Sequence, residues 1–335
     1  MIPTAKAGIT APPETPAAMV ERRPALSVVS PCFNEERGIV EFYRRVSAAV
    51  HDARSGDYEI ILVDDGSTDG TWDRIVQMAG SDPHMVAIRL SRNYGHQAAL
   101  TAGLAAATGD LVFILDSDLQ DPPELLGPMR ELLQVEKAEV VYGHRRSRRG
   151  ETAFKRWTAT GFYRVLDLMT ETKIPLDTGD FRLMTRRMAE ILVSMPERDR
   201  FIRGMVSWAG FRQVPFDYDR DQRYAGETKF SLRRMLRFAS DALLSFSLVP
   251  VRLAGLLSAM MLMALVGLLG YVAVSYLFFD PAPGWTSIAL IVLTTSAVQL
   301  LTLAVIGEYV GRIFIDSKQR PLFIVDQVVR RDDPA

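Results

Sequence analysis

The chain of 335 residues has room for one sizeable domain and further elements. Its 40 acidic and 39 basic residues nearly cancel, so no overall charge draws it to nucleic acid. A single cysteine, Cys32, excludes an intramolecular disulfide framework and fits a catalytic part in a reducing compartment.

Residues 1–23 are rich in Ala, Pro and Thr without a continuous apolar core, which predicts a disordered tail and not a signal peptide. From Leu26 short apolar runs alternate with helical patterns. LSVVS (26–30) reads as a strand, and Asn34 is placed to cap a helix with apolar Ile39, Phe42, Val46 and Ala49. YEIILV (58–63), MVAIRL (85–90), LVFIL (111–115) and AEVVY (138–142) predict four more strands, with helices near 95–107 and from Pro122. Such alternation predicts an α/β domain with a mostly parallel, Rossmann-like sheet and a crevice at the strands' carboxyl ends.

The most informative stretch, Leu111–Glu124, ends a buried strand in Asp116, Asp118 and Asp121 with Gln120 among them. Neighbouring carboxylates repel unless a cation sits between them, and hard cations take one or two carboxylates plus substrate phosphate oxygens. Asp116-Ser117-Asp118 therefore reads as a metal–diphosphate site, although the triplet alone better fits a solvated turn before Pro122-Pro123, and the motifs that follow reverse that weighting. Asp65, after the second strand, is expected at the same sheet edge as Asp116, with Glu35 near enough for ribose hydroxyls.

Four segments in order, PCFNEE (31–36), VDDGSTDGT (63–71), SRNYGHQAALTAGLAAATGD (91–110) and DSDLQDPPEL (116–125), resemble the family 2 glycosyltransferases of GT-A fold. The closer likeness is to the branch making polyprenyl-phosphate sugars: dolichyl-phosphate mannose synthases and GtrB-type undecaprenyl-phosphate glucosyltransferases. It spans roughly residues 26–325. By that resemblance Asp116 contacts the donor, and Asp116, Asp118 and Gln120 hold Mg²⁺ or Mn²⁺. Pro31, Phe33, Glu35, Val63, Asp65 and Ser117 line the donor site, and Arg145 contacts the diphosphate. Phe33 and Ser117 stand where the family commonly has Tyr and Ala, so a hydroxyl role at position 33 is lost. Thr178-Gly179-Asp180-Phe181-Arg182 resembles a segment near sugar and acceptor, with Asp180 its candidate for sugar recognition or base chemistry. Arg223 and Lys229, six apart around Gly226, match a loop closing over the diphosphate.

Arg145–Arg156 is basic, with Trp157, Phe162 and Tyr163 following, and is read as an interfacial collar. Residues 230–248 carry apolar positions at helical spacing beside Arg233, Arg234 and Arg237, an amphipathic interfacial helix. Leu253–Phe279 and Pro281–Gly307 contain no charged side chain and predict two transmembrane helices. The first holds 13 Leu, Val and Phe, favouring insertion by on the order of 4–8 kcal/mol before polar costs. Arg and Lys flank the pair and are absent between the spans, which puts both termini in the cytoplasm, and the resemblance implies a bacterial inner membrane. The expected organisation is a tail (1–23), a cytoplasmic catalytic domain (24–229), the interfacial helix (230–248), a membrane hairpin (249–315) and a cytoplasmic tail (316–335). RPLFIV (320–325) in that last tail reads as a short strand able to pair with a neighbouring subunit in a homo-oligomer.

The resulting expectation is an inverting glycosyltransferase moving a sugar, glucose from UDP-glucose first, to undecaprenyl phosphate. GDP-mannose, UDP-galactose, a UDP-N-acetylhexosamine or a modified UDP-arabinose are alternative donors. A processive polysaccharide synthase is disfavoured because no Q-x-x-R-W pattern occurs. A non-catalytic glycolipid binder or flippase leaves the acidic cluster unexplained.

Overall fold

The computed structural model describes residues 23–53, 56–145, 178–198, 200–219, 249–278 and 284–331. In order these form β1 (Leu26–Cys32), α1 (Ile39–Asp52), β2 (Tyr58–Asp64), α2 (Thr71–Ala79), β3 (Met85–Leu90), α3 (His96–Ala106) and β4 (Leu111–Ile114). A 3₁₀ turn (Pro123–Leu125) leads into α4 (Leu126–Val135), followed by β5 (Val140–Arg145), β6 (Thr178–Thr185), α5 (Arg186–Ser194), α6 (Ile202–Ala209) and β7 (Gln213–Tyr218). Two long helices, α7 (Val249–Phe278) and α8 (Trp285–Ser317), precede β8 (Val325–Val329).

All eight strands join one sheet in the order β7-β5-β6-β4-β1-β2-β3-β8. The ladders β1–β2, β1–β4, β2–β3 and β5–β7 are parallel, while β6 runs antiparallel between β4 and β5, and β8 antiparallel to β3. The central strands are apolar without alternation because helices cover both faces. Successive residues point to opposite sides, so Val28, Ile60 and Leu62 pack with Phe42, Val46, Ile75 and Met129, whereas Val29, Ile61 and Val63 pack with Ala99, Leu100, Met188 and Met205. Each fully buried Val, Leu, Ile or Phe contributes roughly 1.5–3 kcal/mol to that two-sided core.

The five strands expected from the apolar runs are all present, with β1, β2 and β5 extending two, one and three residues further. Two local expectations fail. Asn34 does not cap α1: the helix starts after Gly38, and Asn34, at φ 54°, accepts from the Thr68 backbone N–H at 2.9 Å instead. The C-terminal strand lies at 325–329, later than expected, and pairs with β3 of its own chain. Ser91 N–H adds a 3.0 Å bond to the Ile324 carbonyl, extending that junction.

Helices α7 and α8 pack against each other and expose large apolar side chains, among them Leu262, Met263, Val266, Leu277, Leu300 and Leu303. Thr294–Ser317 is long and apolar enough to cross a membrane, and α7 contains a shorter apolar stretch, Ala254–Ala264. Residues 1–22 of the expected tail (1–23), most of the basic collar, the closing loop with Arg223 and Lys229, and the amphipathic helix lie outside the described residues.

Candidate active site

The topology creates the crevice. From β1 the chain moves to β2 and β3 on one side and then to β4 on the other, and ligands of open α/β sheets bind where strand order reverses in this way. Three loops meet there, after β1, β2 and β4. Ser117 Oγ donates to the Pro31 carbonyl at 3.1 Å, joining the β4 loop to the end of β1. Asn34 N–H donates to Ser67 Oγ at 2.9 Å, and Glu35 N–H to Thr71 Oγ1 at 2.8 Å, joining the β1 loop to the β2 loop. Phe33 and Glu35 are half-buried beside these joints.

Asp65, only 3% exposed, accepts from Tyr94 N–H (2.7 Å) and Gly95 N–H (2.9 Å). Burial raises its pKa, and the two backbone donors oppose that rise. Both its oxygens thus fasten the loop leading into α3. Gly66 makes this possible: at φ +67° a Cβ would stand 2.5 Å from the Arg92 carbonyl carbon, so no other residue fits without moving backbone. Val63 turns its side chain into the core beneath α3.

In the β4 loop, Leu119 adopts φ 58°, a left-handed conformation that is a genuine outlier for a bulky residue, and its side chain is buried. That turn lets Asp118 Oδ1 accept from Gln120 N–H at 3.2 Å and brings Asp116 and Asp118 to the mouth of the crevice. Asp116 Oδ1 is buried, accepts no hydrogen bond, and lies 3.5 Å from His96 Nε2. Burial raises the Asp116 pKa; His96 opposes this, while Asp180, Asp121 and Asp118 add to it. Among the described residues no three His, Cys, Asp or Glu form a metal cluster unaided. Two carboxylates and an amide nevertheless suit a hard cation whose remaining ligands come from water and phosphate, and the unsatisfied Asp116 oxygen fits such an occupant.

Asp180, at 2% exposure in β6, meets four side chains in the crevice. It accepts from Gln97 Nε2 (2.9 Å) and Arg203 Nε (3.1 Å), meets His96 Nε2 at 3.1 Å, and has Arg182 Nη2 at 3.7 Å. Burial favours the neutral acid, but Arg203, His96 and Arg182 prevail and hold Asp180 well below the usual carboxylate range. It is therefore a poor proton acceptor and a strong positioning charge. Arg182, 3% exposed, is lowered to about 10 by burial despite Asp180. Burial disfavours the His96 imidazolium, yet Asp116 and Asp180 raise its pKa to about 9, a pull that solvent partly screens because its side chain is 43% exposed. Arg145, ending β5, donates from Nε to Tyr218 Oη at 3.3 Å and lies 3.8 Å from Asp121 Oδ1.

Of the residues singled out in the sequence, Pro31, Phe33, Glu35, Ser117, Asp116, Asp118 and Gln120 share the crevice loops. Asp180 joins Asp116 through His96. His96, Gln97 and Arg203 escaped sequence reading. The first two lie inside a quoted motif, but their partner is more than 80 positions away, and Arg203 carries no local signal at all.

The profile of Glycosyl transferase family 2 matches residues 27–192. The glycosyltransferase YkcC of Bacillus subtilis is 45% identical over 304 residues, covering 90% of this chain and 93% of that protein. The prophage bactoprenol glucosyl transferase homolog of Escherichia coli is 36% identical over 306 residues, covering 90% and 99%. Among solved structures, the glucosyl-3-phosphoglycerate synthase of Mycobacterium tuberculosis, with Mn²⁺, UDP-glucose and phosphoglyceric acid, aligns at TM-score 0.44 and 22% identity, covering 66% of this chain and 78% of that one.

Proposed function

The chain belongs to glycosyl transferase family 2, and from that premise we propose that it transfers glucose from UDP-glucose to undecaprenyl phosphate with inversion at the anomeric carbon. The observation that carries this reading is the crevice pairing an unsatisfied Asp116 oxygen with the ionised Asp180, in a chain that matches bactoprenol glucosyl transferases along 90% of its length. An acceptor phosphate oxygen attacks the anomeric carbon, the new carbon–oxygen bond forms on the opposite face, and the bond to UDP breaks with its electron pair leaving on the diphosphate. The acceptor phosphate is already ionised near neutral pH, so no strong general base is needed. Asp180, a poor base, suits that chemistry by holding His96 and Arg203 in place.

Pro31, Phe33, Glu35, Val63, Asp65 and Ser117 form the donor side, Val63 and Asp65 through the backbone they order. Arg145 is the guanidinium assigned to the diphosphate, and Arg223 and Lys229, which lie outside the described residues, are assigned to it by the sequence resemblance. Mg²⁺ or Mn²⁺ held by Asp116, Asp118 and Gln120 would offset the charge of the departing diphosphate when bound. Helices α7 and α8 form a two-span hairpin in a bacterial inner membrane, with catalytic domain and both termini cytoplasmic, and this brings the crevice to the lipid phosphate.

The test is transfer of label from UDP- and GDP-sugars to undecaprenyl phosphate in detergent, with Mg²⁺, Mn²⁺ or EDTA. UDP-glucose alone labelling lipid, and EDTA stopping it, supports the whole reading. Labelling from another donor moves the sugar assignment, and no labelling despite donor binding overturns the acceptor.

A further inference from the structure

Four elements converge behind Arg145. It pairs with Tyr218 as the last residue pair of the parallel β5–β7 ladder, so the two side chains start from neighbouring backbone. Asp121, 0% exposed in the loop after β4, accepts from the Tyr218 hydroxyl through Oδ1. The same Oδ1 lies 3.8 Å from Arg145 Nη2, and Arg145 Nε donates to Tyr218 Oη at 3.3 Å. The phenol thus bonds one edge of the guanidinium, and one buried carboxylate oxygen lies within ion-pair range of another. The third constraint is steric. A Cβ on Gly179 would stand 2.7 Å from Arg145 Nη2, so a side chain there would push the guanidinium from its present place. Tyr218 is itself wedged: its ring centre is 5.3 Å from that of Phe181, and a Cβ on Gly143 would meet both rings.

We propose that Asp121, Tyr218 and Gly179 are positioning residues that fix the Arg145 guanidinium for the donor diphosphate. None of the three touches substrate; each acts through Arg145. A planar guanidinium binds phosphate oxygens with defined geometry only while its plane is held. Asp121 belongs to the same loop as Asp116 and Asp118, so the proposal makes one loop order both the acidic and the basic contacts to the diphosphate. It rests on the donor assignment for Arg145 made above.

The experiment is a double-mutant cycle in the full-length protein, read on UDP affinity with Mg²⁺ by calorimetry and on kcat and KM for UDP-glucose. Tyr218→Phe keeps the packing against Phe181 and removes only the hydroxyl. It is expected to weaken UDP binding about tenfold, within the range that contacting residues couple, and to leave KM for the lipid acceptor unchanged. In an Arg145→Ala background the same change is expected to do nothing further, within about twofold. Gly179→Ala, which removes no hydrogen bond, follows the same pattern and decides the matter if Tyr218→Phe does not fold. Equal effects of Tyr218→Phe with and without Arg145 overturn the proposal, as does no effect on UDP affinity. A coupled UDP cycle without lipid labelling leaves the proposal standing and removes the acceptor assignment instead; absence of any UDP binding removes both.

Discussion

Replacing Asp180 with Asn keeps the shape of the side chain and one acceptor oxygen but removes the charge that Arg182, Arg203 and His96 surround. Arg203 and His96 are partly exposed, and water replaces much of what they lose. Arg182, at 3% exposure, has no such recourse. Removing one partner of a buried pair and stranding the other costs about 3–5 kcal/mol, and the retained carbonyl places Asp180→Asn near the lower end. For a domain of about 200 residues this is a fall in Tm of roughly 6–12 °C, at about 2–4 °C per kcal/mol. The pH dependence supplies a second readout. The Asp180 pKa is depressed, so its contribution is present above the unfolded value of about 3.9 and is lost only as pH falls through the lower folded one; it is flat from about pH 5 to 8. His96 is raised to about 9, so its contribution is complete below about 6.5 and lost as pH rises towards 9. Wild-type Tm should therefore decline across that interval, and the Asp180→Asn variant should decline less because His96 loses one of its two acids. Differential scanning fluorimetry between about pH 5 and 9 measures both. A Tm within about 2 °C of wild type, or an unchanged slope, refutes the assignment of Asp180 as the charge that holds this network.

Three further outcomes are expected. Asp118→Ala lowers metal-supported transfer by about a hundredfold or more, while binding of metal-free UDP changes little; transfer near the wild-type rate removes Asp118 from the cation site. Gly66→Ala forces a left-handed alanine against the Arg92 backbone and destabilises by about 2–5 kcal/mol, which chemical denaturation measures. Lys229→Ala reduces turnover about tenfold or more if its ammonium meets the departing diphosphate, and unchanged kcat returns that segment to the status of a linker.

Much of the sheet was legible because strands covered on both faces are continuous apolar runs, as in IILV and LVFI. β6 was not, since its sequence TGDFRLMT carries Asp180 and Arg182, which look solvent-exposed until each is seen to neutralise the other inside the sheet. The acidic half of the crevice was visible as local motifs. The cations around Asp180 were not, because Arg203 reaches it across 23 positions and His96 across 84, whereas Arg145 was named from its place after the fifth strand. The fate of Asp65 was also hidden: nothing in VDDGS shows that its oxygens will meet the backbone of residues 94 and 95. β8 was expected slightly early because RPLFIV is the more apolar segment, but the register is set by Val325, Val328 and Val329 opposite β3.

The pairing of β8 with β3 also sets an order of events during synthesis. β3, with Met85, Val86, Ala87, Ile88 and Leu90 all buried, is finished by residue 90, whereas its edge partner begins at residue 325. At about 5–20 residues per second the ribosome needs roughly 10–50 s to bridge that interval. Throughout it one side of an apolar strand offers unpaired backbone donors and acceptors, the kind of edge that recruits other chains. Residues 325–329 therefore act as a late closure of the sheet, and a chain stopped short of Val325 leaves the ribosome with that edge open.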